Sequence, residues 1–337
     1  MTTQPLPDGF ASDAFWLAQA IDPNSGLIRL VRMDEAGYRD AGFLDDRLLQ
    51  SPRETRLCRL DEALAAVVGR RDDARWIFHI GHVGSTLISR LIGEFDSVLA
   101  VREPRALRDL AVVDAQAAPA VAAGLRLLMA RSFAPEQAAL VKATSFVSES
   151  APLLLAPGAA ALLLFATPAN YIASILAGEN SVMELNVLHG VRDARLKSRG
   201  IALQGFDRSN AHRAAAAWAC EMTTLEAAAN VLPDRDILWA DFDRMLGDMA
   251  GAVQRCLGHF GFAVSRDEIA AVVNGPLMRR YSKALEYDYS PALRTELLAE
   301  AARENAANIA DALAALRDAA ATSALLGRAL DRAEREG

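Results

Sequence analysis

Long apolar runs, cysteine pairs and an excess of basic charge are all missing from this chain of 337 residues. The longest apolar run, residues 159–166, has the length of a strand and is far shorter than the roughly 20 residues a membrane helix needs. The amino-terminal segment lacks a basic stretch followed by an apolar one, so we expect no secretory signal and a cytoplasmic location. The three cysteines form no CxxC spacing, which predicts neither disulfides nor a metal site.

The charge balance narrows the range of partners. Lys and Arg number 36 against 43 Asp and Glu, which gives a net charge of −7. A general nucleic-acid binder needs a basic surface, so we expect no nucleic-acid partner. One anionic ligand in a locally basic cleft is still compatible with this charge. The content of 52% apolar and 23% charged residues is typical of a globular protein, without a membrane span.

Alternating strand and helix patterns predict an α/β fold. Short apolar segments that favour strands occur at residues 76–80, 98–101, 139–141, 160–165 and 236–240. Helical patterns separate them, including those over 85–95 and 207–230. Short apolar strands between helices are typical of a parallel sheet that is covered by helices on both faces.

The two ends of the chain are expected to add to this sheet. Residues 14–33 predict two strands joined by a PNSG turn, and residues 53–69 predict a helix from their apolar spacing. We therefore predict one α/β domain, residues 75–290, preceded by the hairpin and helix of residues 1–74. Residues 291–337 form a helical extension that either packs back on the chain or makes a homodimer.

The segment RWIFHIGHVGSTLISR, residues 75–90, has the pattern of a strand, a glycine-containing loop and a helix. In an open parallel sheet, ligands bind beyond the carboxyl ends of the strands, where this loop would lie. Gly81 and Gly84 allow a tight turn and a close approach to a ligand. The amides of Gly84, Ser85 and Thr86 are then first-turn donors at the positive end of the helix dipole. We predict a phosphate-binding loop; the alternative is an ordinary turn with Ser85 as the N-cap.

The loop is not of the Walker A type. That motif ends in Gly, Lys and then Ser or Thr, because the lysine binds the phosphates of a triphosphate and the hydroxyl binds Mg²⁺. Here Ser85 follows Gly84 directly. An ordinary ATP or GTP hydrolase is therefore not expected.

Three further segments follow the loop. Residues 89–110 read SRLIGEFDSVLAVREPRALRDL, residues 141–145 read VKATS, and residues 237–242 read ILWADF. Together with the loop GHVGSTL at residues 81–87, and in this order, they resemble the sulfotransferase family, bacterial members in particular. The loop of that family has Lys or Arg, Ser, Gly and two Thr before Trp or Leu. The resemblance spans roughly residues 75–285.

The resemblance implies a fold like that of the P-loop nucleoside triphosphate hydrolases. It also implies transfer of a sulfuryl group from 3′-phosphoadenosine-5′-phosphosulfate to a hydroxyl or amine. The acceptor is a small molecule, a glycan or a peptide, and its pocket is shaped by the segment after residue 178. Residues of the loop would bind the phosphosulfate: Gly81, His82, Val83, Gly84, Ser85 and Thr86.

Two positions depart from the family's pattern. His82 stands where the family has Lys or Arg, and Ala166 stands where the family has the Arg that binds the nucleotide 3′-phosphate, although Ser174 is retained. A basic residue elsewhere is the expected replacement for that Arg. The candidates are Arg213 and three residues of the segment MRRYSK, namely Arg279, Arg280 and Lys283, with a solvated basic turn as the alternative for that segment.

Sulfuryl transfer needs in-line placement, stabilisation of charge on the leaving oxygen, and a base for the acceptor's proton. Glu103 is the predicted base, because it follows a strand expected to lie beside the loop strand; the alternative is a carboxylate that only favours a helix dipole. Lys142 ends another strand, where its ammonium meets the phosphosulfate or reaches water. His82 is the predicted donor to the leaving group, and His79 a packed core residue. Sulfuryl carries less charge than a terminal phosphoryl group, so no metal is predicted.

Three arginines near Glu103, namely Arg102, Arg105 and Arg108, either line the mouth of the cleft or solvate a helix face. Two other functions remain open at this point. One is an ATP-dependent, kinase-like phosphotransferase, for which Asp241 is the carboxylate that could hold Mg²⁺. The other is a non-catalytic nucleotide-binding protein that has the fold without the chemistry.

Overall fold

Two sheets organise the computed structural model, which describes residues 2–232, 236–280 and 290–336. Five parallel strands flanked by helices make the larger sheet, so the predicted α/β class is confirmed. An antiparallel sheet of three strands makes the smaller one. The strands of the two sheets in chain order are β1 (Trp16–Asp22), β2 (Leu27–Arg32), β3 (Thr55–Arg59), β4 (Arg75–His79), β5 (Val98–Arg102), β6 (Ala138–Lys142), β7 (Ala160–Phe165) and β8 (Asp236–Asp241).

Helices flank the larger sheet and also make up the carboxyl-terminal part of the chain. The α-helices are α1 (Glu35–Asp40), α2 (Leu60–Ala66), α3 (Ser85–Ile92), α4 (Arg105–Asp109), α5 (Ala118–Met129), α6 (Ala151–Leu154), α7 (Pro168–Leu176), α8 (Glu179–Ser198), α9 (Asn210–Asn230), α10 (Phe242–Gly247), α11 (Met249–Phe260), α12 (Arg266–Val273), α13 (Pro291–Glu304), α14 (Ala306–Thr322) and α15 (Ala324–Glu336). Short 3-10 helices lie at Asp46–Gln50, Leu110–Val112, Ser145–Ser150 and Pro276–Arg279.

The strand order in the larger sheet is β5-β6-β4-β7-β8. From the central strand β4 the chain runs to one side for β5 and β6, and then crosses to the other side for β7 and β8. Such a reversal leaves a crevice beyond the carboxyl end of the central strand. The expectation that the second strand lies beside the loop strand is wrong, because β6 pairs with both β5 and β4 and separates them.

The central strands are buried on both faces, which explains why their sequence is continuously apolar. Trp76, Phe78, Leu162 and Leu164 are fully buried and pack between the flanking helices. Removing four such side chains from water supplies roughly 1.5–3 kcal/mol each, which fixes the sheet as the rigid support of whatever lies at its edge.

The smaller sheet contains a strand that the sequence pattern did not indicate. Residues 55–59 form β3, which pairs antiparallel with β2, and only residues 60–66 are helical. The predicted helix over 53–69 is therefore wrong in its first part. The unpaired edge of β2 offers a ladder of backbone hydrogen bonds, and this tertiary pairing overrides a helical spacing of leucines. Cys58 of β3 is buried against the core.

The carboxyl-terminal helices pack back on the chain. Both α14 and α15 lie against α9 and bury Leu316, Leu326 and Ala329. This is the first of the two alternatives for residues 291–337; the homodimer stays a prediction. The preceding helix α13 packs against α7, which brings one face of the extension to the crevice at the sheet edge.

Candidate active site

A cavity of about 960 Å³ opens at the carboxyl edge of the larger sheet. Its inner part is lined by the loop that follows β4 and by residues at the ends of three strands. These residues are His79 of β4, Glu103 after β5 and Lys142 of β6. Residues of α8 and α13 line its outer part. Ligand cavities commonly measure about 300–1,000 Å³, so this one is large enough for a nucleotide with a second molecule.

The loop between β4 and α3 turns through left-handed backbone conformations. The φ angles of Gly81, His82 and Gly84 are 80°, 55° and 62°. Gly84 occupies the N-cap position of α3, and Ser85 is the first helical residue. The alternative with Ser85 as N-cap is therefore wrong. Because glycine has no side chain, no capping hydroxyl or carboxylate from that position covers the first-turn amides of α3.

Gly84 makes room for a protein side chain. A Cβ built on Gly84 would lie 1.9 Å from Cζ of Phe242, the residue that follows β8. Phe242 is buried at 1% exposure, so its ring has little freedom to retreat. The sequence predicted a glycine here for the close approach of a ligand. The structure gives a second reason, the close approach of the Phe242 ring at the end of β8.

Within the described residues, three buried polar atoms of the cavity wall have no hydrogen-bond partner among the protein groups. They are Oγ1 of Thr86, Oγ1 of Thr144 and Nη2 of Arg294. Buried polar groups are nearly always hydrogen-bonded in native proteins, and an unpaired one costs about 1–3 kcal/mol. Three in one wall indicate a ligand rich in hydrogen-bond acceptors, since hydroxyls and a guanidinium all donate.

The charge of the cavity is opposite to that of the chain. The described lining residues include five cations and two carboxylates: Arg47, Arg108, Lys142, Arg280, Arg294, Glu103 and Glu184. The whole chain carries −7. An anionic ligand is therefore favoured here even though the protein as a whole repels anions.

Glu103 and Lys142, the predicted base and the predicted cation, form an ion pair. Lys142 is buried at 1% exposure, so the alternative in which it reaches water is wrong. The Glu103 side chain is 12% exposed and pairs with Lys142, and the N-cap of α4, Pro104, has no side-chain capping hydrogen bond. His79 also lies here, with Nε2 4.0 Å from Oε1 of Glu103.

The backbone at Glu103 is bent to present this carboxylate. Its φ is 53°, and its N–H donates to the carbonyl of Lys142 at 2.7 Å. Within the described chain, His82 and Glu103 are the non-glycine residues with positive φ, and both line the cavity. A non-glycine residue held this way costs about 1–3 kcal/mol, and such outliers concentrate at functional sites.

His79 has a larger part in the site than its sequence position indicated. Its Nδ1 accepts a hydrogen bond from the Gly81 amide at 3.0 Å, which fixes the start of the loop. An accepting Nδ1 leaves Nε2 as the protonated nitrogen of a neutral ring, and Nε2 points at Glu103. His79 was expected to be a packed core residue. It is buried, but it also lines the cavity and links the loop to Glu103.

His82 points towards α8 and the cavity. Its Nδ1 lies 3.4 Å from Oγ of Ser181, and its Nε2 lies 3.8 Å from Oε2 of Glu184. The structure thus brings His82 into the same cavity as Glu103 and Lys142. Its predicted role as a donor to the leaving group stays a prediction.

The residues expected at a second phosphate divide into two groups. Ser174 and Arg280 line the cavity, but Arg279 lines a separate, smaller cleft and Arg213 bonds to Asn186. Lys283 lies outside the described residues. Ala166 is fully buried, and its carbonyl accepts from the Trp218 indole, so this position presents no side chain to the cavity.

Of the three arginines near Glu103, only Arg108 lines the cavity among the described residues. Arg102 is buried and donates to the carbonyls of Tyr38, Arg39 and Ala41; burial lowers its pKa to about 9. Arg105 pairs with two carboxylates, Asp46 and Asp109.

Arg294 is a site residue that sequence reasoning missed. It lies on α13, its Nε donates to Oδ1 of Asp243 at 2.9 Å, and its guanidinium lies 5.1 Å from the Phe242 ring centroid. Asp243 also accepts from the Asn170 side chain of α7. No motif marks Arg294, because it stands more than 200 residues after the loop and its position depends on how α13 packs.

Asp241, the expected metal carboxylate of a kinase-like site, serves another purpose. One oxygen accepts from the Arg244 amide at 2.9 Å and the other from the Thr167 amide at 3.1 Å. Burial raises the pKa of this carboxyl although both amides oppose the shift. Asp241 therefore caps α10 and ties β8 to α7. The described ranges contain no cluster of three or more His, Cys, Asp or Glu suited to a metal ion.

Comparison with known proteins leaves the family open. No known family profile matches the chain. No curated protein matches it in sequence. Among solved structures, the chain is similar to the "Sulfotransferase Domain from the Curacin Biosynthetic Pathway", with a TM-score of 0.40 and 13% identity over 67% of this chain and 87% of that one. This likeness is too distant to carry an argument.

A helix that spans a membrane must be both long and apolar. None of the helices in the described residues combines the necessary length with the necessary hydropathy.

Proposed function

We propose that this chain is a sulfotransferase that moves a sulfuryl group from 3′-phosphoadenosine-5′-phosphosulfate to an acceptor hydroxyl. One observation carries the proposal. The uncapped start of α3, with the unpaired hydroxyl of Thr86, lines the same cavity as the Glu103–Lys142 pair. An anion-binding helix end beside a carboxylate and an ammonium supplies the parts that transfer of an anionic group to a hydroxyl needs.

The phosphosulfate end of the donor is assigned to the loop. The amides at the start of α3 and the hydroxyls of Ser85 and Thr86 donate to its oxygens, and the helix dipole favours the negative charge. Thr144 adds a second unpaired hydroxyl from the end of β6. His82 takes the place of the cation that the resembling family has in its loop. A P-loop-like fold is part of this proposal.

The nucleotide 3′-phosphate is assigned to Ser174, Arg280 and Arg294. Asp243 joins Asn170 and Arg294, and Ser174 lies four residues after Asn170 on α7, so it shares that helix face. The guanidinium is oriented through Nε, and its buried Nη2, which has no partner among the described residues, is assigned to a ligand oxygen. In this assignment a cation from α13 replaces the arginine that Ala166 lacks.

The transfer step conserves atoms and charge. The acceptor oxygen forms a bond to sulfur while the bond from sulfur to the 5′-phosphate oxygen breaks. The electron pair of the broken bond stays on the phosphate, which leaves as adenosine 3′,5′-bisphosphate. The acceptor's proton passes to Glu103.

The ion pair sets the order of events. Lys142 and His79 both approach Oε1 of Glu103, so we assign the proton to Oε2. Lys142 then moves its ammonium from Glu103 to the bridging oxygen as negative charge develops there, since a mobile cation follows the charge. His79 keeps the loop and the carboxylate in register through Gly81.

A nucleotide without a 3′-phosphate, such as ATP in a kinase-like reaction, is the second candidate. Ala166 favours it, because the position that binds the 3′-phosphate in the resembling family has no cation here. The hydrogen bonds from backbone N–H groups to both oxygens of Asp241 count against this candidate. They occupy the carboxylate that a kinase-like reaction would need to hold Mg²⁺.

A transfer assay with sulfur-labelled donor tests the proposal on the full chain against phenol, sugar and alkanol acceptors. We expect transfer, and we expect Glu103→Gln to lower kcat by about 10²–10⁴-fold, the usual contribution of a general base. The same variant keeps its affinity for adenosine 3′,5′-bisphosphate.

The matched control is Glu94→Gln, which changes an exposed carboxylate outside the cavity and leaves kcat unchanged. Full activity of Glu103→Gln would remove the base from the mechanism. Nucleotide binding without transfer to any acceptor would instead indicate a non-catalytic binding protein.

A further inference from the structure

The outer part of the cavity is apolar, in contrast to its inner part. On α8, Met183 and Val187 stand one turn apart and are 63% and 75% exposed. On α13, Leu293 and Leu297 also stand one turn apart and are 40% and 44% exposed. All four line the cavity, as do their half-buried neighbours Leu188 and Leu298. We call these six residues the apolar rim.

Solvent-exposed aliphatic side chains of this kind need an explanation. Isolated ones are ordinary on protein surfaces, but a contiguous set around a cavity marks a binding surface. Helices α8 and α13 both pack on α7, and both contribute residues to the lining of the cavity. The apolar rim is therefore continuous with the polar end, where Glu103 and Lys142 lie, within one cavity.

From this division we propose that the acceptor is an amphipathic alcohol, with one hydroxyl and an aliphatic body. The proposal rests on the proposed function, since it names the acceptor of that site. The hydroxyl reaches Glu103, while the aliphatic body lies between Met183 and Val187 on one side and Leu293 and Leu297 on the other. Each methylene that leaves water strengthens binding, whereas a sugar hydroxyl would lose its hydration against these side chains.

The charges next to the rim argue against a membrane as its occupant. Glu184 on α8 and Glu296 and Glu300 on α13 are exposed among the aliphatic residues. Carboxylates at these positions are repelled by an anionic lipid surface, as is a chain of net charge −7. A small neutral amphiphile meets no such repulsion.

Binding of primary alcohols from butanol to decanol tests the proposal, by calorimetry on the full chain with and without adenosine 3′,5′-bisphosphate. We expect Kd to fall about two- to fourfold for each added methylene, as partial to full burial of a methylene requires. Glycerol and glucose bind no better than butanol. Val187→Asn and Leu297→Gln each weaken decanol binding about fivefold or more by the same burial.

Val68→Asn is the matched control, because Val68 has the same 75% exposure as Val187 but lies outside the cavity. It leaves decanol binding unchanged. Kd values that do not depend on chain length overturn the proposal, as does an equal effect of Val68→Asn and Val187→Asn. Binding to neutral phosphatidylcholine vesicles without binding to monomeric alkanols overturns it too, and makes the rim a membrane contact.

The two proposals fail separately. Binding that depends on chain length, in a protein that transfers no sulfuryl group to any alkanol, phenol or sugar, supports the apolar rim as a binding surface and removes the proposed function. Transfer to phenols or sugars, without chain-length dependence for alkanols, supports the proposed function and removes the acceptor assignment.

Discussion

Replacing Gly84 by alanine separates two costs that the structure assigns to this position. The first is conformational, because φ is 62° and a residue with a Cβ pays roughly 1–2 kcal/mol in the left-handed region. The second is steric. The three nearest atoms to a built Cβ are Cζ, Cε2 and Cε1 of Phe242, at 1.9, 2.0 and 2.5 Å. Ordinary carbon contacts are about 3.5–4.0 Å, so the ring must move by more than 1 Å.

Overpacking a well-filled site costs about 1–3 kcal/mol, and Phe242 has little room to move at 1% exposure. We therefore expect Gly84→Ala to lower the free energy of unfolding by about 2–5 kcal/mol in urea titrations. Gly69→Ala is the matched control. The φ of Gly69 is 73° and no atom lies within 4 Å of its built Cβ, so only the conformational cost applies.

Phe242→Leu completes the test, because leucine lacks the three ring atoms that meet the Cβ. In that background the cost of Gly84→Ala should approach that of Gly69→Ala, which gives a coupling of about 1–3 kcal/mol. Equal costs for Gly84→Ala and Gly69→Ala in the wild-type background would refute the reasoning. Additive costs of Gly84→Ala and Phe242→Leu would refute it as well.

Two further predictions concern charged groups. Burial raises the pKa of Asp241, so the native state keeps this carboxyl protonated at pH values where the unfolded chain has released the proton. The stability contributed by Asp241 therefore falls as pH rises from about 4 through its raised pKa. The unfolding free energy of wild type minus that of Asp241→Asn should therefore decrease with pH, by at most about 1.4 kcal/mol per pH unit; a constant difference contradicts this. Arg294→Gln should weaken binding of adenosine 3′,5′-bisphosphate about tenfold or more in calorimetry and leave AMP unchanged, as loss of a charged hydrogen bond to the 3′-phosphate requires. Arg303→Gln, an exposed arginine on the same helix, is the control, and equal losses for both nucleotides contradict the assignment.

The larger sheet could be predicted from sequence because its strands are buried on both faces. Continuous apolar segments such as residues 160–165 have one stable placement, in the middle of a layered fold. Edge strands carry a weaker signal. Residues 55–59 belong to a segment whose apolar residues have helical spacing. They form a strand because they pair with β2.

Local pattern singled out charged residues at the sheet edge, but it did not give their contacts. Glu103 and Lys142 could be singled out as strand-end residues, since the carboxyl ends of parallel strands share one edge. That they pair depends on β6 lying beside β5, which was not predicted. Arg102 shows the limit of the same reasoning, because strand alternation does not say which face meets solvent, and its guanidinium is buried against carbonyls.

Residues that reach the site from distant helices could not be predicted. Arg294 and the leucines of α13 lie in a segment whose sequence resembles many surface helices, and their place is set by packing against α7 and by the pairing with Asp243. The contacts of His79 with the Gly81 amide and of Phe242 with Gly84 likewise came only from the structure. Helix faces carry periodicity, but periodicity does not name the partner.

Binding of the nucleotide is the most direct test of the central claim. Calorimetry with the wild-type chain should show adenosine 3′,5′-bisphosphate binding at least about tenfold more tightly than ADP, since its 3′-phosphate gains charged hydrogen bonds at Ser174, Arg280 and Arg294. Equal affinities, or tighter binding of ADP, would contradict the assignment of this cavity to a 3′-phosphorylated sulfuryl donor.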